Sequence, residues 1–187
     1  MGKGAATRQV VVDEALRQAV AVGLDGLSLG VLAASAGLSK SGLFAHFKSK
    51  QALQLAVLDE TALRFRRAVV DPALACPPGV ERLATLFERY LDWMGSGCLF
   101  SVVAQELDKL SPPVAAEFVA GQQRWTKTIE RVALDAAGPD ADGGELTFEL
   151  IGLALAYQRA TKVFHDPAAR QRAVGIFARR LEAEATP

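Results

Sequence analysis

The segment Ser28–Lys50 reads SLGVLAASAGLSKSGLFAHFKSK and divides into two short helices around a tight turn. Ser28 is placed to cap a helix over Leu29 to Ala36. The matching capping box is incomplete, because its fourth position is Val31 rather than Glu or Gln. Gly37 ends that helix, Leu38-Ser39 follows, and a second helix is expected from Lys40 to Phe47. Leu32 and Ala33 on the first helix and Leu43 and Phe47 on the second are the inward apolar positions. Ala33, Ala34 and Ala36 allow the two helices to cross closely. This is the plan of a helix-turn-helix, whose second helix enters the DNA major groove.

The residue types suit that use. Ser39, Lys40, Ser41 and Gly42 place small hydroxyl side chains, a cation and a glycine at a helix N-terminus, where amide groups can meet phosphates. Ser28 joins them as a candidate contact at the head of the first short helix. Lys48 and Lys50 can neutralise phosphate charge, which brings salt-dependent affinity. Ala45 offers a base edge only apolar contact, for instance to a thymine methyl. Gly37-x-x-x-x-Gly42 superficially resembles a phosphate-binding loop, but the next residue is Leu43 rather than Lys and no strand precedes it.

Working outward, a helix is expected from Thr7 to Val22, with the stripe Val11, Val12, Ala15, Leu16, Ala19 and Val20 and with Gly23 as its breaker. A long helix should run from Lys50 to Val69 and stop before Pro72. Asp71 to Gly79 is a clear break. Helices then follow at 80–95, 99–109, 113–137, 145–164 and 167–183. No stretch alternates with period two for long, so the fold class is all-α. The expected division is a DNA-binding head over 1–67 and a larger helical body over 68–187.

Composition narrows the function classes. The chain has 187 residues, half of them apolar and 22% charged, which excludes wholesale disorder. Its 21 basic and 21 acidic residues cancel overall, yet residues 1–67 carry nine Lys/Arg against five Asp/Glu. Gly26 to Leu58 contains no acidic residue, a pattern that favours a polyanionic partner. The longest uncharged run, Gly26 to Ser39, is too short to span a bilayer, so no membrane partner is expected. The start lacks the apolar core of a secretory signal, and the expected location is the cytoplasm. Cys76 and Cys98 are far apart and read as free thiols. HExxH and CxxC are both missing, so catalysis is not expected. No cofactor is expected either. His46 and His165 lie far apart in sequence, which argues against a metal site.

The run Gly37-Leu38-Ser39-Lys40-Ser41-Gly42-Leu43-Phe44-Ala45-His46-Phe47-Lys48-Ser49-Lys50-Gln51-Ala52-Leu53 resembles the signature of TetR-family transcriptional regulators, roughly G-V-S-K-G-T-L-Y-x-H-F-K-S-K-E-x-L. The resemblance covers about residues 7–67. It implies an all-helical homodimer with a three-helix DNA head and a body that binds a small molecule and dimerises through its last two helices. It implies that ligand binding releases the operator, and that the regulator is a repressor. It assigns Lys40 and Ser41 to bases, Gly42 to close approach, and His46 and Lys50 to phosphates. Arg8 would reach the flanking backbone. Phe44 stands where the family usually has Tyr, so a phosphate bond from that hydroxyl is lost. Gly30 and Val31 stand where the family often has Arg or another polar group.

In the body, Trp93, Cys98, Phe100, Glu106, Trp125, Phe148, Tyr157 and Arg159 are the candidate lining of a pocket for a small apolar or amphipathic ligand. The helix from Glu145 to Phe164 is apolar nearly all round and must be covered on more than one side. An isologous dimer is therefore expected through Leu150, Gly152, Leu153, Ala156, Ala160, Val174, Phe177 and Leu181. A head kept only as a protein-interaction module is the rival reading, and steep salt dependence separates the two.

Overall fold

The computed structural model describes residues 3–184, and among them every regular element is helical. Ten α-helices follow in order: α1 (Lys3–Val22), α2 (Leu29–Ser35), α3 (Lys40–His46), α4 (Lys50–Phe65), α5 (Asp71–Leu74), α6 (Val80–Gly97), α7 (Leu99–Ala104), α8 (Pro112–Ala137), α9 (Gly143–Phe164) and α10 (Ala169–Glu184). A π-helical turn (Arg66–Val70) follows α4, and a 3-10 turn (Leu107–Lys109) follows α7.

The chain forms two compact units, and both are discontinuous in sequence. One holds residues up to Arg64 together with Cys98–Gly121; the other holds Phe65–Gly97 and residues from Gln122 on. This division differs from the single cut at 67/68 drawn from the sequence, because residues 98–121 return to the first unit.

In the first unit α1 buries Val11, Val12, Ala15 and Ala19 against Leu32 and Ala33 of α2, Leu43 of α3, Phe47, and Leu53 and Val57 of α4. Leu99, Val103, Leu110, Val114 and Phe118 complete the same core. Each Val, Leu or Phe side chain among them contributes about 1.5–3 kcal/mol by leaving water. Gly37 ends α2 at φ 66°. Its N–H bonds to Ala34 O (3.1 Å) while that of Leu38 reaches Ala33 O (2.8 Å). That pair of bonds is a Schellman motif, which satisfies the last carbonyls and turns the chain toward α3.

In the second unit α6 turns Leu83, Leu86, Phe87, Tyr90, Leu91 and Met94 inward, and α9 supplies Leu146, Leu150 and Ala154. Ala173, Phe177 and Leu181 of α10 are buried too, with the Phe87 and Phe177 rings 4.4 Å apart. Gly95 lies under Tyr157, whose hydroxyl would stand 2.8 Å from a Cβ at that position. Arg180 bonds Glu149 (2.7 Å), tying α10 to α9.

Two elements depart from the sequence expectation. The long helix does not run on to Val69 as an α-helix: after Phe65 the chain widens into the π turn, where Asp71 N–H bonds Arg66 O, and Pro72 enters the first turn of α5. Proline is tolerated there because a first-turn N–H has no intrahelical acceptor. The helix expected over 99–109 stops at Ala104, and Glu106 leaves helical geometry (φ −123°, ψ 15°). That break lets its carboxylate reach the backbone of the turn after α1.

Candidate nucleic-acid interface

The three head helices present one surface built on the start of α3. Ser39 caps α3: its Oγ accepts from Gly42 N–H (3.0 Å) and lies 3.0 Å from Ser41 Oγ. Ser28 caps α2 by accepting from Val31 N–H at 3.5 Å. These bonds revise one expectation, since the Gly42 amide is occupied by the cap and is not open to a phosphate. The two serines shape the helix starts first; each hydroxyl keeps a hydrogen to donate.

Around that start, Lys40, Ser41, Ala45 and Lys48 are exposed, and Gly42 and His46 are half-buried. Lys40 and Lys48 carry no ion pair among the described residues, so both charges are available to a polyanion. The stem of Lys40 passes over Gly30, with Cε 3.5 Å from where a Cβ would stand. Phe44 is 48% exposed and Val31 is 54% exposed, which puts apolar groups on a surface otherwise made of hydroxyls and cations.

Lys50 and Arg8 are less free. Lys50 Nζ donates to the backbone oxygen of Asp25 (2.5 Å) and lies 3.6 Å from its carboxylate. It ties the start of α4 to the turn before α2. Arg8 sits over the Phe47 ring, 4.8 Å from its centroid, in a cation–π contact worth roughly 0.5–1 kcal/mol at an exposed site.

The residues expected to line a ligand pocket are divided between the two units. Cys98, Phe100 and Glu106 belong to the first unit; Trp93, Trp125, Phe148, Tyr157 and Arg159 belong to the second. Cys98 is buried ahead of α7, and Phe100 stacks near Phe118 (6.4 Å). Glu106 is not a surface ion: it is 9% exposed, and Oε1 accepts from Leu24 N–H (2.5 Å) and Asp25 N–H (3.4 Å). Phe148 is 81% exposed and lines nothing within its own unit. Arg159 is exposed and lies 5.7 Å over the Phe164 ring.

Trp93 and Trp125 share Phe65 as a neighbour. Phe65 contacts both rings edge-on, at 5.4 and 4.7 Å, and Tyr90 lies 5.2 Å from Trp125. Both indole N–H groups are buried without a hydrogen-bond partner. Such orphan donors are uncommon in folded proteins and cost about 1–3 kcal/mol each. Trp93 also borders an open surface cleft of about 360 Å³, lined by Arg67, Ala68, Pro72, Arg89, Asp92 and Ser96. Neither Arg67 nor Arg89 has an ion pair among the described residues. The arginines escaped the sequence reading because Arg67 sits in the π turn, which no helical periodicity reveals.

The expected dimer residues also separate. Leu150, Phe177 and Leu181 are spent inside the second unit, at 1%, 7% and 9% exposure. Gly152 and Ala156 are exposed, and Leu153, Ala160 and Val174 are half-buried. The outward face of α9 carries Phe148, Gly152, Leu155, Ala156 and Val163, one helical stripe about 100° wide. Sequence alone could not choose between the faces of a helix apolar all round.

Two family models match the chain. Residues 11–57 match "Bacterial regulatory proteins, tetR family", and residues 79–177 match "Tetracyclin repressor-like, C-terminal domain". The chain belongs to the TetR family. It is a TetR-family DNA-binding transcriptional regulator, and the α2–α3 pair is its helix-turn-helix. A curated relative, the HTH-type transcriptional repressor DhaR of Mycobacterium sp. (strain GP1), is 27% identical over 130 residues, 68% of this chain and 66% of that protein. The match thus spans just under two thirds of the relative. Among solved structures, a TetR regulator from Chloroflexus aurantiacus superposes with TM-score 0.84 at 24% identity, covering 97% of each chain. AibR, solved with isovaleryl coenzyme A and operator DNA, superposes with TM-score 0.75 at 19% identity, covering 92% of this chain and 97% of its own. These likenesses show a shared fold. Among the described residues no helix is long and apolar enough to cross a membrane, and no group of three His, Cys, Asp or Glu is placed to hold a metal ion.

Proposed function

We propose that this TetR-family regulator is a repressor that binds a palindromic operator as a homodimer and leaves it when a small molecule occupies the helical body. The observation that carries the operator reading is the α3 surface: uncommitted Lys40 and Lys48 flank Ser41 and His46 on a helix held rigid by the Ser39 cap. Lys40 and Ser41 face bases; His46 and Lys48 face phosphates. Lys50 and Arg8 contribute charge near the backbone while serving the structure. Phe44 and Ala45 supply apolar contact in place of a phosphate bond. The relative named as a repressor, and the neighbour solved with operator DNA, support this reading.

The outward stripe of α9 supports the homodimer. Phe148, Leu155 and Val163 expose large apolar surface beside the small residues Gly152 and Ala156, a combination suited to close self-association about a two-fold axis. A two-fold dimer reads half-sites about 34–36 Å apart or a multiple of that. The cleft beside Trp93, with two free guanidinium groups, and the unpartnered indoles favour an amphipathic ligand carrying an acidic or hydrogen-bond-accepting end.

The test is anisotropy of labelled duplexes that tile the DNA upstream of the gene and its neighbour, at two salt concentrations and against scrambled competitor. Saturable binding to one palindromic tile that weakens steeply with salt is expected. Equal binding to every tile, or binding indifferent to salt, would sink the operator reading.

A further inference from the structure

We infer that Glu106 is a positioning residue for operator binding: its buried carboxylate holds the turn that leads into the helix-turn-helix. The inference rests on the operator-binding reading above and adds to it a residue far in sequence from the head.

The turn Gly23–Leu27 joins α1 to α2. Backbone bonds from Gly23 N–H to Ala19 O (2.9 Å) and from Leu27 N–H to Leu24 O (3.4 Å) shape it, and side chains hold the groups between. Leu24 N–H donates to Glu106 Oε1 (2.5 Å), and Asp25 N–H points to the same oxygen (3.4 Å). Leu24 C=O accepts from Gln54 Nε2 (2.9 Å), and Asp25 C=O accepts from Lys50 Nζ (2.5 Å). Gln54 and Lys50 both belong to α4, so that side of the turn is fixed by the helix that follows the recognition helix. On the opposite side the Leu24 and Asp25 amides have Glu106 as their acceptor. Leu24 and Leu27 are buried in the shared core, and Ser28 caps α2 directly after them. A displaced turn therefore displaces α2, and with it the start of α3.

The chemistry of the contact marks it as more than packing. Glu106 is 9% exposed, yet no cation pairs with it among the described residues; backbone N–H groups are its partners. Burying a carboxylate without a counter-ion is costly unless hydrogen bonds compensate, and here backbone amides supply them. The carboxylate also lies beside the C-terminal end of α1, where the helix dipole disfavours negative charge. Gly23 completes the site. It adopts φ +78°, and a Cβ there would fall within the Glu106 carboxylate. The turn has no side chain at the one place where the carboxylate enters.

Glu106 also lies where a change in the body can be felt. Its segment, 98–121, belongs to the compact unit of the head but is joined by peptide bonds at both ends to the other unit. α7 ends at Ala104, and the 3-10 turn begins at Leu107, so Glu106 sits at a junction of two short elements rather than within a stiff helix. Movement of that segment acts on the head turn through this carboxylate.

Full-length wild type, E106A and E106Q are to be compared on the operator duplex across a salt series, at a temperature where circular dichroism shows all three folded. Amide hydrogen exchange at Leu24 and Asp25 is followed in parallel. E106A is expected to lose tenfold or more in operator affinity with an unchanged salt slope, because no phosphate contact is removed. Its Leu24 and Asp25 amides should exchange at least tenfold faster. E106Q, which keeps an acceptor oxygen, should stay within about threefold of wild type on both counts. A merely structural Glu106 would lower the melting temperature and leave the affinity of the folded protein unchanged, and that result overturns the proposal. Amides that stay protected in E106A overturn it too. If E106A does not fold, E106D takes its place: the shorter side chain keeps the charge but withdraws the oxygen from the Leu24 amide, and the same loss of affinity and of amide protection is expected. A wild type that binds no duplex, with exchange still governed by residue 106, would fault the operator reading and not the pinned turn.

Discussion

The two units treat polar groups in opposite ways. In the first, polar side chains are bonded into the frame: Ser28 and Ser39 cap helices, Gln54, Lys50 and Glu106 hold one turn, and Arg64 bridges Asp13 and Glu60. In the second, two indole N–H groups are buried without partners, Arg67 and Arg89 face a cleft unpaired, and a stripe of α9 exposes Phe148, Leu155 and Val163. The buried polar side chains of the first unit are bonded within it, and its uncommitted cations, Lys40 and Lys48, stand on the surface. The second has donors, charges and apolar surface left over, which is what a region built to take a ligand and a second copy of itself requires. A DNA reader needs rigid geometry before it meets its site, whereas a sensor needs groups that something else completes.

Three substitutions break or sharpen this contrast. The largest effect is expected from Phe47→Ala. Phe47 is 2% exposed in the core of the first unit, and its loss should cost about 3–5 kcal/mol, read as loss of helicity at 222 nm in denaturant titration. Near-wild-type stability would mean that the head core is looser than its packing shows.

Next comes Phe148→Glu on the outward face of α9. This should leave the folded chain near wild-type stability, since Phe148 is 81% exposed, while sedimentation shows a monomer and operator affinity drops at least about a hundredfold. A variant that stays dimeric would remove α9 from the interface. The smallest effect belongs to Ser39→Ala. Losing the α3 cap should cost about 1 kcal/mol of head stability, with roughly a fivefold loss of operator affinity, measured by melting and anisotropy. An unchanged α3 would show that the cap is redundant with packing.

The local grammar of the head was legible in the sequence. Ser28, Gly37 and Ser39 announced the limits of α2 and α3, and Leu32, Leu43 and Phe47 announced their buried faces, because caps and turns act between near neighbours. The contact of Glu106 with Leu24 spans more than eighty positions, and a lone Glu after a predicted helix reads as a solvated ion. Phe148 illustrates a second limit. A helix apolar on every side states that it must be covered but not which face its own chain covers, so the sequence offers Leu150 and Phe177 to a partner while the fold buries both within the second unit. The π turn at Arg66–Val70 is a third, since one extra residue per turn leaves no periodic mark in a five-residue segment.

The aromatic cluster around Phe65 has a spectroscopic consequence. The chain contains only two tryptophans, and both stand in that cluster with their N–H groups unpartnered. Intrinsic indole emission therefore reports on this one spot and is blind to the DNA-reading helices. A molecule that brings an acceptor to either indole should shift the emission band and lengthen or quench its decay, so compounds can be screened with unlabelled protein before any operator is known.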